Sequence, residues 1–143
     1  MGATVIAYWP GITEEQIESQ PDFYNDNKPW GDWMANREEE PAVADAIRKL
    51  NADAILTYKT DGLDDEDVQW VTPQQLREAA LKLREAVQSG LPETDPILKT
   101  YEKSAIGMDP LPNEFIQDLD DVISLTKFAE EEGATKMTLE VNW

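Results

Sequence analysis

The C-terminal segment carries the clearest pattern of apolar and polar positions in the chain. From Asn113 onward, apolar residues recur every three or four positions, which predicts an amphipathic helix that Asn113 caps and Gly133 ends. The predicted core stripe contains Phe115, Leu119, Val122, Ile123, Thr126 and Ala129, flanked by Ile116. The predicted solvated side contains Glu114, Gln117, Asp120, Asp121 and Glu131. Phe128 falls on that polar side, as a contact outside the main stripe or as an exposed aromatic ring.

The end of this helix and the residues after it make two further predictions. Glu130, Glu131 and Glu132 lie at the negative end of the helix dipole, which indicates either a frayed end or a demand for surface charge. Residues 137–143 then alternate strictly between apolar and polar, which predicts a half-buried, antiparallel strand. One face contains Met137, Leu139, Val141 and Trp143, and the other contains Thr138, Glu140 and Asn142. Because this strand enters the core, we expect removal of residues 139–143 to unfold the chain.

The rest of the chain predicts three more strands and four more helices. The apolar run at 3–9 predicts a strand in the centre of a sheet, beside the closing strand. The predicted helices are one that Thr13 begins with a capping box to Gln16 and Pro21 ends, one over 41–51, one over 72–90, and one that starts at 95. The helix at 72–90 is the one net-basic element, and we expect it to lie beside the acidic closing helix.

Residues 54–59 and 68–71 complete the predicted sheet as a hairpin that turns at Asp61-Gly62. The sequence therefore predicts the α+β class, with a small, mostly antiparallel four-stranded sheet covered on one face by about five helices. We expect a single globular domain over residues 1–143, with no linker or tail.

Charge and composition exclude several classes of function. The 143 residues carry a formal net charge of −18, which argues against nucleic acid and anionic membranes and permits a basic partner attracted at long range. The chain has neither histidine nor cysteine, so a Ser-His-Asp or Cys-His mechanism and a Cys/His zinc site are impossible. No phosphate-binding motif, signal peptide or membrane span is recognisable, so we expect no cofactor and a cytoplasmic location.

Residues 21–36 form an irregular, aromatic segment that is the first candidate for a functional surface. Its aromatic residues are Phe23, Tyr24, Trp30 and Trp33, among asparagine and aspartate. Such rings stack on sugars or anchor a partner, but they also fold back as a lid on a core. Any carboxylate chemistry near this segment would involve Asp22, Asp26 and Asp32. With thirty acidic residues in the chain, however, a suitably spaced pair carries no information.

The predicted hairpin has an acidic tip that is a weak candidate for calcium. The acids are Asp61, Asp64, Asp65, Glu66 and Asp67. Gly62 directly follows the first aspartate and no glutamate stands at the twelfth position, unlike in an EF-hand loop. A solvated turn is the ordinary interpretation, and no metal is predicted.

The sequence thus leaves three functional hypotheses open. The first is a non-catalytic, acidic interaction protein that binds a basic protein partner as an adaptor, regulator or inhibitor, including an immunity-type protein or a nucleic-acid mimic. The second is a carbohydrate-binding, small-ligand or carboxylate-dependent enzyme domain that uses residues 21–36. The third is a homodimer formed through the sheet face that carries Thr138, Glu140 and Asn142.

Overall fold

Three strands and five α-helices make up the part of the chain that the computed structural model describes, residues 4–21, 33, 41–60, 64–104 and 113–142. The strands are β1 (Thr4–Tyr8), β2 (Lys59–Thr60) and β3 (Thr138–Asn142). The helices are α1 (Glu14–Glu18), α2 (Pro41–Lys49), α3 (Pro73–Gln88), α4 (Asp95–Ser104) and α5 (Asn113–Glu131). Short 3₁₀ helices occupy Asp53–Leu56, Asp65–Asp67 and Pro92–Thr94. The predicted α+β class is confirmed.

β3 lies in the middle of the sheet that these strands form. It pairs antiparallel with β1, from Thr4 opposite Asn142 to Tyr8 opposite Thr138, and parallel with β2. The predicted pairing of the first strand with the closing strand is therefore confirmed. Within the described residues the sheet has three strands and is mixed, so the prediction of four mostly antiparallel strands is wrong, as is the central position of β1.

The predicted hairpin of residues 54–59 and 68–71 is also wrong. Residues 53–56 form a 3₁₀ helix that buries Ile55, and β2 begins at Lys59. Val71 forms an isolated antiparallel bridge with Met137. A short apolar run satisfies burial equally well as a helical turn or as a strand, and periodicity does not distinguish the two.

The helix ends at Thr13, Thr72 and Gly133 follow the signals in the sequence, whereas Asn113, predicted as a cap, is the first residue of α5. Thr13 and Thr72 each cap a helix through the side chain. The side chains of Gln16 and Gln75 accept hydrogen bonds from the backbone N–H groups of Thr13 and Thr72, which completes both capping boxes. Gly133 has φ +85°, and the Ala134 N–H donates to the Ala129 carbonyl at 3.0 Å. This C-terminal cap satisfies carbonyls that would otherwise be open, so α5 ends in a closed turn.

α3 packs along α5, as expected for the basic helix beside the acidic one. Two ion pairs border the contact, Arg77 to Glu130 and Arg84 to Asp120, each at 2.8 Å. The predicted core stripe of α5 is buried at Phe115, Leu119, Val122, Thr126 and Ala129. α2 and α4 pack together as a second pair of helices.

Two polar residues are buried, although the pattern of apolar and polar positions predicted each of them on a polar face. Glu114, predicted on the solvated side of α5, is only 6% exposed. Thr138, predicted on the polar face of β3, is fully buried, and its hydroxyl lies 2.9 Å from that of Thr57. The polar face of the sheet is therefore partly covered.

We expect Leu139→Ala to lower the free energy of unfolding by about 2–5 kcal/mol, because Leu139 is fully buried on the central strand. The matched control is Leu81→Ala on α3, where the side chain is 48% exposed and the expected change is within about 0.5 kcal/mol. Urea unfolding of both variants measures the difference. Equal losses at the two positions would contradict the burial of Leu139 in the core.

Candidate binding surfaces

Of the aromatic residues in segment 21–36, the structure describes Trp33, which lies in the core. Its side chain is 1% exposed and meets Phe115 and Tyr101 edge-on, with ring centroids 5.6 and 6.4 Å apart. For Trp33, this position agrees with the interpretation of the segment as a lid on the core. The other candidates of the segment lie outside the described residues, so their binding role stays a prediction: Phe23, Tyr24, Trp30, Asp22, Asp26 and Asp32.

A buried polar cluster lies next to these rings. The Tyr101 hydroxyl donates to Asp118 Oδ2 at 2.5 Å, and Asp118 is fully buried. Burial raises the pKa of Tyr101 far above its ordinary value, and the nearby charges of Asp118 and Glu114 raise it further. This cluster fastens α4 to α5 and is closed to an outside ligand. The i, i+4 spacing of Glu114 and Asp118 was the signal in the sequence, but it did not reveal their burial.

The acidic tip gives no metal site in the described residues. Asp64, Asp65 and Asp67 are exposed on or beside the 3₁₀ helix, while Asp61 lies outside the described residues. Asp65 accepts a hydrogen bond from the Tyr8 hydroxyl at 3.0 Å. No three carboxylates in the described part of the chain converge as ligands of a metal ion.

Tyr8, Lys59, Trp70 and Lys136 form an aromatic and cationic cluster that the sequence did not predict. Tyr8 stacks on Trp70, with ring centroids 6.0 Å apart and an interplanar angle of 19°. Lys59 Nζ lies 5.1 Å from the Tyr8 ring centroid, and Lys136 Nζ lies 5.3 Å from that of Trp70. Alternation along β1 places Tyr8 opposite the buried side chains of Val5 and Ala7, and this alternation was the available signal.

Acidic neighbours set the charge around this cluster. Burial raises the pKa of Tyr8, and the hydrogen bond to Asp65 and the charges of Asp65 and Glu140 raise it further. Tyr8 therefore keeps its proton and acts as a donor. Lys59 pairs with Glu140 at 3.7 Å, between side chains that are both mostly buried. The cluster thus combines aromatic rings, two lysines and two carboxylates at one face of the sheet.

Trp70 also lines an open groove of about 690 Å³, the Trp70 groove. Its walls come from the segment around the first 3₁₀ helix, from residues 69–71 and from α3. The lining residues are Asn51, Asp53, Ala54, Gln69, Trp70, Val71, Gln75, Glu78, Ala79 and Lys82. The Lys82 ammonium is directed at the Asn51 carbonyl oxygen, at 3.4 Å. The groove thus has one aromatic wall, with amide and charged side chains on the others.

A second groove, of about 390 Å³, lies between the start of α1 and the end of α5. Thr13 and Gln16 line it from one side, Glu132 lines it from the other, and Lys136 also contributes. Five exposed carboxylates lie on α1 and at the end of α5, the two elements that border this groove. We call them the acidic face: Glu14, Glu15, Glu18, Glu131 and Glu132. None of the five has an ion-pair partner among the residues that the structure describes.

Comparison with family models, with curated proteins and with solved structures found no match to this chain. Among the helices in the described ranges, none has both the length and the apolar character needed to cross a bilayer.

We expect Tyr101→Phe to lower the free energy of unfolding by about 1–3 kcal/mol at neutral pH, because buried Asp118 loses a donor. The raised pKa of Tyr101 means that the unfolded chain loses this proton first as the pH rises. Stability from neutral Tyr101 is therefore complete below the ordinary pKa of 10.0 and falls above it.

The measurement is urea unfolding of both proteins between about pH 7 and about pH 11. The stability advantage of the unmodified protein should stay constant up to about pH 10 and then shrink by at most about 1.4 kcal/mol per pH unit. A constant difference across the whole range would contradict a role for Tyr101 as a buried, protonated donor.

Proposed function

We propose that this chain is a non-catalytic interaction protein that binds a basic protein partner through the acidic face. The observation that supports this most strongly is that five exposed carboxylates without ion-pair partners in the described residues lie on α1 and at the end of α5, the two elements that border one groove. In a chain of net charge −18, they form a region that attracts a basic surface at long range.

The acids of α5 serve two different purposes under this proposal. Asp120 and Glu130 pair with arginines of α3, so the contact between the two helices accounts for them. Glu131 and Glu132 follow directly and have no such pair among the described residues. They lie at the negative end of the helix dipole, where a carboxylate destabilises the helix. The helix end is closed by its cap in spite of these charges, so we assign the charges to binding and not to the folding of the helix.

Binding without catalysis fits the chemistry that the chain carries. Histidine and cysteine are absent from its 143 residues, so general-base and nucleophilic mechanisms that need them are excluded. Among the described residues the most deeply buried carboxylate is that of Asp118, which accepts a hydrogen bond from Tyr101 inside the core. In that position it supports the packing of α4 on α5.

We expect neutralisation of the acidic face to weaken binding of the partner by roughly tenfold, at about 0.5 kcal/mol for each of three charges. The variant carries Glu18→Gln, Glu131→Gln and Glu132→Gln. The matched control carries Glu85→Gln, Glu93→Gln and Glu102→Gln, all exposed and all on or beside α3 and α4. Both variants change the net charge from −18 to −15, since three negative charges are removed from each.

Partners are captured on the immobilised protein, identified, purified and titrated against the three proteins. Capture is repeated at about 0.1 M and about 1 M salt, where the screening length falls from about 10 Å to about 3 Å. The proposal requires a partner that is lost at high salt and bound more weakly by the acidic-face variant than by the control. A partner that binds all three proteins equally, or that is indifferent to salt, would overturn it.

A further inference from the structure

We infer that the Trp70 groove receives an arginine side chain of the basic partner, and that Lys136 occupies the Trp70 ring until that arginine displaces it. This inference rests on the proposed function, because it assigns one contact of the same partner. It also goes beyond that proposal, since it concerns a groove on α3 rather than the acidic face on α1 and α5.

The aromatic cluster already binds cations within the chain. Lys136 Nζ lies 5.3 Å from the ring centroid of Trp70, and Lys59 Nζ lies 5.1 Å from that of Tyr8. The two rings stack face to face, and each has a lysine ammonium group at about 5 Å from its centroid. A ring that holds an intramolecular ammonium group in this way offers the same attraction to a cation from outside.

The charges of the Trp70 groove favour a cation over an anion. Asp53 and Glu78 are exposed on two different walls, and Glu78 accepts a hydrogen bond from Gln74 at 3.2 Å. Lys82 is the cation of the lining, and its ammonium is directed at a backbone carbonyl. The lining therefore carries one net negative charge, which Lys136 at the Trp70 ring offsets as long as it stays there. Once Lys136 has moved away, a phosphate or carboxylate ligand is repelled by the lining, whereas a cationic side chain is attracted.

Arginine fits these groups better than lysine does. Its planar guanidinium stacks on an indole ring and at the same time donates paired hydrogen bonds to a carboxylate. The Trp70 groove offers an indole ring together with carboxylates on separate walls. Its volume of about 690 Å³ and its open form leave room for an extended segment to carry the side chain in.

Lys136 connects this groove to the acidic face. Its ammonium lies at Trp70, while its side chain also lines the second groove together with Glu132. When an arginine displaces it, the lysine therefore has a carboxylate-bearing groove to turn towards. As long as it stays at the ring, it competes with the incoming cation. Lys136 thus limits the affinity of the site, and its removal should strengthen binding.

The test uses three probes on the full chain: a short peptide of alternating arginine and serine, its lysine–serine counterpart, and maltotriose as a neutral sugar. Titration is followed by the indole N–H resonance of Trp70, which is assigned by its loss in Trp70→Phe. We expect the arginine peptide to shift this resonance at a lower concentration than the lysine peptide does. A shift with maltotriose but not with the arginine peptide would overturn the inference in favour of a sugar ligand.

Lys136→Met should bind the arginine peptide about fivefold more tightly than Lys127→Met. The two variants lose the same charge and the same side chain, but Lys127 is exposed on α5 and lies outside both grooves. Asp53→Asn combined with Glu78→Gln should weaken binding, and Trp70→Leu should do so by about fivefold or more. The two acid substitutions are at exposed positions, so the inference stays testable even if Trp70→Leu does not fold. Equal affinities of Lys136→Met and Lys127→Met would overturn it.

The acidic-face variant separates this inference from the proposed function. If that variant binds the purified partner more weakly while the Trp70 groove variants bind it normally, the proposed function stands and the groove assignment fails. If the groove variants lose affinity for the partner and the acidic-face variant does not, the groove assignment stands and the acidic face is not the binding surface.

Discussion

The pairing of β3 with both β1 and β2 is the interaction on which the rest of the described structure depends. β3 is the last strand in the sequence, yet it supplies the hydrogen bonds for the first strand and for a strand some eighty residues earlier. Its buried residues Leu139 and Val141 face the helices, and Thr138 on its other face bonds to Thr57. Contacts so distant in sequence cost more loop-closure entropy than local ones, so the sheet and the surfaces built on it depend on the tertiary fold and not on local pattern.

The Trp70 groove and the aromatic cluster are a consequence of this arrangement. Tyr8 comes from β1, Lys59 from β2, and Trp70 and Lys136 from the two segments that the Val71–Met137 bridge joins. That bridge brings residues 70 and 136 together, and β3 brings residues 8 and 59 to the same face. The local pattern around any one of these residues contains no information about the other three. The cluster therefore exists only at the level of tertiary structure.

The contrast between local signals and tertiary contacts explains how much of the protein the sequence could predict. The helix ends at Thr13, Thr72 and Gly133 were predictable, because a cap is decided by residues a few positions apart. The pairing of β1 with β3 was also predictable, since both strands show an apolar face. The conformation of residues 53–60 was not, because burial of Ile55 is compatible with either a helical turn or a strand. Of the binding residues predicted from the sequence, Trp33 lies in the core. Trp70 was not among them, because it belonged to a predicted strand that does not form.

The acidic residues of α5 show why charge alone does not identify a surface. Asp120 and Glu130 are offset by arginines of α3, and Asp118 is satisfied in the core by Tyr101, so their contacts within the fold account for all three. Glu131 and Glu132 are different, because the dipole of their own helix opposes them and the cap at Gly133 holds them in that unfavourable place. Local rules of stability are broken most often where a surface has another purpose. Lys136 lines a groove together with Glu132 and places its ammonium at Trp70. Under the proposed binding, a cation would therefore meet both a carboxylate and an aromatic ring at the place that pattern and stability explain least well.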